Sequence, residues 1–515
     1  MKVCTRAQIR EVDRLSIEEY GLPGVVLMEA AGRGVVDVIA VERALRGAAV
    51  LVLAGGGNNG GDGFVIARHL IARGAEVTTL LLGDPSALAG DARLNYDVLA
   101  KMGGAMRPLV DDADIARESG AFAAADVIVD AIFGTGLTRE VGGHYRRVIE
   151  LANRAPRALR VAVDIPSGLD ADSGEVLGVV FAADHTVTFA YPKLGMVSHP
   201  GFERVGKLHL VDIGVPANVA ARAEFCAELL ERDDVRRRLI VRPAWGHKGT
   251  YGHLLLIAGS RGKSGAALLA GEAALRAGVG LCTIASDART VRALENKTRE
   301  LMLAELVAEG HELDDSDVLF ERLARIAEGK DAIAIGPGLA RDAGSKRFVT
   351  RLLREAHVPV VIDADALNDL VGQLDVLAEA AVPVLLTPHP GEMSRLAGRP
   401  VPEVQANRYG VATGFAVEHG VYLALKGART VIAEPDGRAA INPTGNSGMG
   451  SGGTGDVLTG LVGSFLAQHH PPADALVLAV YLHGAAGDHA AKHRGQRALI
   501  ASDLIDAVPT VLRDW

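Results

Sequence analysis

The sequence predicts a two-domain α/β protein with mostly parallel sheets, and three observations carry that reading. Short apolar runs alternate with stretches of helical spacing through both halves of the chain. Each run ends in glycine or polar residues, where an open parallel sheet keeps its ligands. The 515 residues also exceed what one hydrophobic core organises, about 250–300 residues.

Residues 8 to 46 alternate apolar and charged positions at helical spacing, and AAVLVLA, Ala48 to Ala54, then forms a buried strand. The alternation continues with a helical Phe64 to Arg73, a strand Glu76 to Leu82, a helical Asp91 to Met102 and a strand Asp126 to Ile132. A helical Tyr145 to Asn153 and a strand Arg160 to Asp164 follow, and Thr186 to Ala190 and Lys207 to Asp212 close this half. Strands that alternate with helices imply a parallel sheet covered on both faces. Between 215 and 245 the pattern breaks into ERDDVRRR, Glu231 to Arg238, followed by Pro243, which sets domains at 1–220 and 225–515. A second series runs through Leu254 to Ala258, Leu281 to Ala285, Ala332 to Ile335, Val358 to Ile362, Val384 to Thr387 and Val421 to Leu425.

With 54 Lys plus Arg against 63 Asp plus Glu, the chain carries a formal charge of -9 and lacks the long-range pull that nucleic acid or an anionic membrane surface needs. Phosphate binding must then be local. Cys4, Cys226 and Cys282 show no CxxC spacing, which argues against a disulfide framework or thiolate metal site and for a reducing cytoplasm. Charges interrupt every apolar run of MKVCTRAQIREVDR, so no secretory segment is expected, and no run approaches the roughly 18–20 apolar residues of a membrane span.

The strand ending at Ala54 leads into GGGNNGGDG, Gly55 to Gly63. Backbone can approach a phosphate closely at such a loop. Gly55, Gly57 and Gly60 satisfy GxGxxG, with Asp84 near the end of the next strand, the pattern of a dinucleotide oxidoreductase. Hydride transfer has no need, however, of the oxygens and amides of Asn58, Asn59 and Asp62, which suit a hard cation or a sugar hydroxyl. Asp130 to Thr138 reads DAIFGTGLT and Asp164 to Gly168 reads DIPSG. An aspartate that ends an apolar strand is costly unless paired, ligated or solvated in a cleft. Either one alone could be a helix cap, but the three loops converge on one sheet edge.

Together with Tyr191 to Gly195, YPKLG, these motifs resemble the epimerase domain of the NAD(P)H-hydrate repair family over roughly residues 8 to 216. The resemblance implies a Rossmann-like three-layer fold, a bound potassium ion and interconversion of the R and S epimers at C6 of the hydrated cofactor. It places substrate on Asn58, Asn59, Gly60, Gly61 and Asp62, and on Gly134, Thr135, Gly136, Leu137, Thr138, Arg139 and Glu140. Potassium falls to Asn59, Asp130 and Ser167, and the acid/base role, with substrate contact, to Asp164.

The strongest signal is late: Asn442 to Leu461 reads NPTGNSGMGSGGTGDVLTGL and runs into an apolar helical stretch, Val457 to Leu466. Loop amides and a helix N-terminus would face one anion there. Asp456, at that junction, is either an ordinary first-turn carboxylate or the base that takes a proton from a hydroxyl being phosphorylated. No P-loop is present, because the GKS at Gly262 to Ser264 finds Ile257 where the Walker pattern needs glycine.

GTGD resembles the ribokinase-like kinases. With HKGTYG at His247, GPGL at Gly336, DADAL at Asp363, TPHPGE at Thr387 and KGART at Lys426, the half from about 225 to 511 resembles the ADP- or ATP-dependent NAD(P)H-hydrate dehydratase domain. The resemblance implies a ribokinase-like fold that binds adenine nucleotide at Lys426, Gly427, Ala428, Arg429, Thr430 and Gly455. Ala267, Gly338, His389 and Asp456 would contact the hydrated nicotinamide, with Asp456 catalytic and magnesium bridging nucleotide oxygens. The expected outcome is dehydration of the S epimer to NAD(P)H with release of phosphate and AMP or ADP. Expected partners are these small molecules and further copies of the chain in a homo-oligomer, with neither nucleic acid nor membrane.

Overall fold

The computed structural model describes residues 1–225, 227–340 and 343–515, and the chain divides into two compact units, Lys2–Ala227 and Glu228–Trp515. Cys226 lies outside the described residues; Cys4 and Cys282 are buried free thiols.

The first unit is built on β1 (Ala49–Ala54), β2 (Glu76–Leu82), β3 (Ala105–Leu109), β4 (Val127–Ala131), β5 (Leu159–Val163), β6 (His185–Phe189) and β7 (Lys207–Val211). They form a seven-stranded sheet in the order β3-β2-β1-β4-β5-β6-β7, parallel throughout. Strand side chains alternate between faces, so Val50 and Val52 enter one core with Val35 and Phe64, while Leu51 and Leu53 enter another with Phe122 and Val148. Those two cores, one on each face, make the three layers of a Rossmann-like unit. The order reverses between β1 and β4, and a doubly wound sheet opens a ligand crevice at the strand ends beside such a reversal.

Strand β3, AMRPL, has no counterpart in the apolar pattern. It is an edge strand with only Leu109 buried, and an edge is where a sheet tolerates a proline such as Pro108. Helix α1 spans Gly24–Glu42 and helix α2 spans Asn58–Ala72, so most of the glycine-rich segment is the first turns of α2 rather than a loop before Phe64. Close packing dictates this: a Cβ on Gly60 would sit 1.8 Å from the Gly55 carbonyl oxygen.

The second unit contains β8 (His253–Ile257), β9 (Leu281–Asp287), β10 (Met302–Val307), β11 (Ala332–Ile335), β12 (Val360–Ile362), β13 (Val384–Leu386), β14 (Tyr422–Leu425), β15 (Val431–Ala433) and β16 (Ala439–Ile441). Their order is β16-β15-β14-β13-β12-β11-β8-β9-β10, parallel from β10 to β14 and antiparallel from β14 to β16. Leu254 and Leu256 face one core and Leu255 and Ile257 the other, giving the layered ribokinase-like arrangement. Strand β10 is a half-exposed edge, and β15 and β16 fill apolar runs of three residues each, cut off by Glu434 and Arg438, too short to register in the sequence. The helices used below are α3 (Ser264–Arg276), α4 (Pro390–Ala397) and α5 (Thr454–Ala467). Helix α5 starts at Thr454, which puts Asp456 inside its first turn. Among the described residues no helix is long and apolar enough to cross a membrane.

Candidate functional sites

A cavity of about 670 Å³ opens at the crevice of the first sheet. Asn58, Asn59, Asp62, Gly134, Thr135, Gly136, Leu137, Thr138, Arg139 and Asp164 all line it. Gly60 and Gly61 do not: their missing side chains are filled by the Gly55 carbonyl and by Met28. Glu140 is exposed and lies beyond the lining. Asp84, the residue that a dinucleotide pattern would use for ribose, accepts from the Ser86 amide at 2.8 Å and caps a short turn.

Asp164 follows β5 with φ +65°, a left-handed conformation that is uncommon outside glycine and that aims its carboxylate into the cavity. The carboxylate pairs with Lys193, whose Nζ also donates to Thr188 Oγ1 at 2.8 Å. Lys193 is 1% exposed, so its charge is held in place by these partners. Asp62 stands on the same wall, its carboxyl pushed well up by burial and then by the negative charges of Asp164 and Asp13. Asp13 reaches the cavity from the helix Arg6–Arg14, with its carboxyl raised to about 6 by loss of water and then by Asp164. Lys193 and Asp13 were not singled out from the sequence. Lys193 sits inside the YPKLG motif, where a charge amid apolar residues is the available signal; Asp13 looks like any solvated carboxylate on a helix.

Asp130 is fully buried behind this wall. It accepts from Ser167 Oγ at 2.6 Å, from the Ser167 amide at 2.8 Å and from the Ile132 amide at 3.2 Å. Burial pushes its carboxyl up to about 6, and among the described residues no lysine or arginine pairs with it. Asn59 lies close by: its side-chain oxygen is 3.6 Å from where a Gly134 Cβ would be, and its buried Nδ2 has no hydrogen-bond partner. A carboxylate without a counter-charge beside hydroxyl and amide oxygens is a donor set that fits a hard monovalent cation.

In the second unit, Gly453 at φ +94° turns the glycine loop into α5. The first intrahelical bond is Val457 N–H to Gly453 O at 3.1 Å, so the amides of Thr454, Gly455 and Asp456 precede it and are available to an anion. The loop is pinned from behind: Asp488 accepts from the Gly445 amide and from Asn446 Nδ2, both at 2.9 Å, and His483 Nε2 lies 2.8 Å from Thr454 O.

Lys426 Nζ lies in front of that turn, 3.4 Å from the position a Gly455 Cβ would take. It donates to Asp363 Oδ1 at 2.7 Å and stands 3.9 Å from Glu392 Oε2, while Asp363 Oδ2 accepts from Thr459 Oγ1 at 2.6 Å. Asp456 is raised to about 6, by burial first and the Asp363 charge second, with Lys426 opposing. Glu392 is raised to about 7, mainly by burial. Asp363, Glu392 and Thr459 belong to motifs visible in the sequence, but none was given a role. The available signal was that Asp363, like Asp130 and Asp164, closes an apolar strand.

The remaining candidates divide. His389 Nδ1 accepts from the amides of Gly391 at 2.9 Å and Glu392 at 3.3 Å, so the ring caps α4 while its Nε2 stays 3.4 Å from Glu392 Oε1. The turn Gly427, Ala428, Arg429, Thr430 is closed by Thr430 Oγ1 donating to Gly427 O at 3.0 Å. Buried Arg408 supports it from below, donating to Leu425 O at 2.8 Å and Lys426 O at 3.0 Å. Ala267 is fully buried against Gly259, which leaves no side-chain surface for a ligand. Gly338 O accepts from Ser260 Oγ at 2.8 Å, at the rim of a second cavity of about 400 Å³ lined by Ser260, Arg261, Asp287 and Leu339.

Fold and sites together define a two-unit α/β enzyme, one unit with a carboxylate and lysine in a sheet-edge cavity, the other with a kinase-type anion cradle. Residues 254–510 match the family model for NAD(P)H-hydrate dehydratase, and residues 24–195 match that for the YjeF-related protein N-terminus. The bifunctional NAD(P)H-hydrate repair enzyme of Moorella thermoacetica is 47% identical, with 100% of this chain and 97% of that relative aligned. The one from Escherichia coli K12 is 36% identical over 90% and 84% of the two chains. The crystal structure of the ADP/ATP-dependent dehydratase from Bacillus subtilis, co-crystallised with ATP and Mg2+, is 36% identical, with a TM-score of 0.49 over 56% of this chain and 98% of that one. The chain belongs to the family of bifunctional NAD(P)H-hydrate repair enzymes.

Proposed function

We propose that the first unit interconverts the C6 epimers of hydrated NADH and NADPH and that the second dehydrates the S epimer at the expense of ADP or ATP. Hydroxide is a poor leaving group, so the hydroxyl must be converted into a better one. The adenine nucleotide lies along Lys426–Thr430, and its terminal phosphate faces the first-turn amides of α5 and Lys426 Nζ. Asp456 takes the proton of the C6 hydroxyl as that oxygen attacks the terminal phosphorus and the bond to the nucleotide leaving oxygen breaks. The C6–O bond then breaks, phosphate departs, and loss of a proton from the adjacent ring carbon restores the double bond. Magnesium bound with the nucleotide would offset phosphate charge, and the Glu392 carboxylate would be an oxygen donor for it.

In the first unit Asp164 is the acid/base group, and its pairing with Lys193 keeps it oriented. Asn58 and the turn from Gly134 to Arg139 hold the substrate. Asn59, Asp130 and Ser167 would hold potassium, whose positive charge would fix the strand ends that carry the substrate-facing loops. Both activities belong with the cytoplasmic NAD(P)H pool.

The observation that carries the dehydratase reading is a carboxylate inside an amide-rich helix start with a half-buried lysine beside it. In the test, wild type and Asp456→Asn are incubated with hydrated NADH and each nucleotide while absorbance at 340 nm is followed. Recovery should fall by roughly 10²–10⁴-fold in the variant, the range for a lost general base. Unchanged turnover, or accumulation of a stable phosphorylated alcohol, would overturn the assignment.

A further inference from the structure

We propose that Glu42, His185 and His209 form a binding site for a zinc-class divalent cation at the edge of the first sheet opposite the cavity. Strands β6 and β7 pair in parallel with His185 opposite Lys207, so His185, Lys207 and His209 project from one face. Glu42, the last residue of α1, comes down on that face. His185 Nδ1 lies 2.9 Å from His209 Nε2 and 3.8 Å from Glu42 Oε1, and the three donor atoms fall within 4.8 Å of one another. Among the described residues this is the one group of three such side chains gathered so closely.

The chemistry selects the ion. Two imidazoles and one carboxylate suit zinc and its neighbours, whereas magnesium and potassium prefer oxygen ligands alone. The rings stack at 5.1 Å with 21° between their planes, and their facing nitrogens lie at hydrogen-bond distance, 2.9 Å. Metal–nitrogen bonds of about 2.0–2.1 Å in a tetrahedral site need these nitrogens roughly 3.3 Å apart, a shift of a few tenths of an ångström. Lys207 Nζ donates to Glu42 Oε1 at 3.1 Å, but its side chain is 65% exposed and can turn into water. The nearest further pair, Arg160 with Asp184, is closed on itself at 2.8 Å. A bound ion would tie β7, a partly exposed edge strand, to the end of α1.

The test uses tag-free full-length protein stripped with a chelator and kept in excess potassium and magnesium. Calorimetric titration with zinc should show one saturable equivalent that raises the unfolding temperature. His185→Gln/His209→Gln should lose that equivalent, with affinity down by more than about tenfold, and should lose the thermal shift. Unchanged epimerisation and dehydration rates in this variant report that it is folded. Glu42→Gln, a change outside the sheet, should weaken zinc in the same direction and serves if the double variant fails to fold. Indistinguishable isotherms for wild type and Glu42→Gln or the folded double variant, or no saturable zinc binding by wild type, would overturn the proposal.

Discussion

At the residue scale, buried charge governs both sites. Asp363 stands between Lys426 and Thr459 at 1% exposure. Asp363→Ala strands the lysine and should cost about 3–5 kcal/mol, read as a lower urea midpoint for the second unit, because breaking a buried pair leaves its partner uncompensated. Asp130 titrates in the opposite sense to a salt-bridged acid. Its folded-state value, about 6, lies above the unfolded value, so the folded chain holds the proton more firmly and ion-free stability falls as pH rises from about 4 to about 6. At the proposed site potassium would bind the ionised form, so its increment to the melting temperature should be small at pH 4.5 and full at pH 7.5. A pH-independent increment would remove Asp130 from the cation site. Asp130 and Asp164 were legible in the sequence because each interrupts or follows an apolar run, and Asp456 because it closes a glycine-rich segment at the start of one. Their partners were not: nothing along the chain couples Asp164 to Lys193, or Asp363 to Lys426 sixty-three positions later.

At the element scale, helix starts and close approaches decide the geometry. Helix α5 packs on α3 so tightly that a Cβ on Gly460 would lie 2.0 Å from Ala270 O. Gly460→Ala should therefore destabilise by about 1–3 kcal/mol and shift Asp456, lowering dehydration while leaving epimerisation intact. Calorimetry beside the two activity assays checks both parts. The long apolar strands were readable from periodicity. Edge strands β3 and β10 were not, since a strand with one wet face leaves too little pattern, and neither were β15 and β16, which fill apolar runs of only three residues whereas β12 and β13 lie in longer ones. The glycine segments misled in one direction: Asn58–Gly63 and the Thr454–Gly455 pair read as loop, but both are helix. Local propensity disfavours glycine in helices, and tertiary packing that admits only hydrogen overrides it.

At the scale of the whole molecule, each unit carries its own sheet, cores and site, so lesions should separate by function. With a mixed epimer pool, Asp164→Asn should recover the S fraction at the normal rate and then slow to the uncatalysed exchange of the remainder. Chromatography of the epimers during turnover distinguishes this from a general loss. Full recovery at the wild-type rate would take Asp164 out of the epimerisation.

Behind the cavity of the first unit the start of α2 is jammed, whereas the turn that lines the cavity after β4 is loose. Gly60 abuts backbone, whereas nothing stands within 4 Å of the place a Gly136 side chain would fill. Any drift in which modified nicotinamides fit there must then accumulate in the turn after β4, and a designer seeking to retarget the pocket should randomise that turn and leave the asparagine helix untouched.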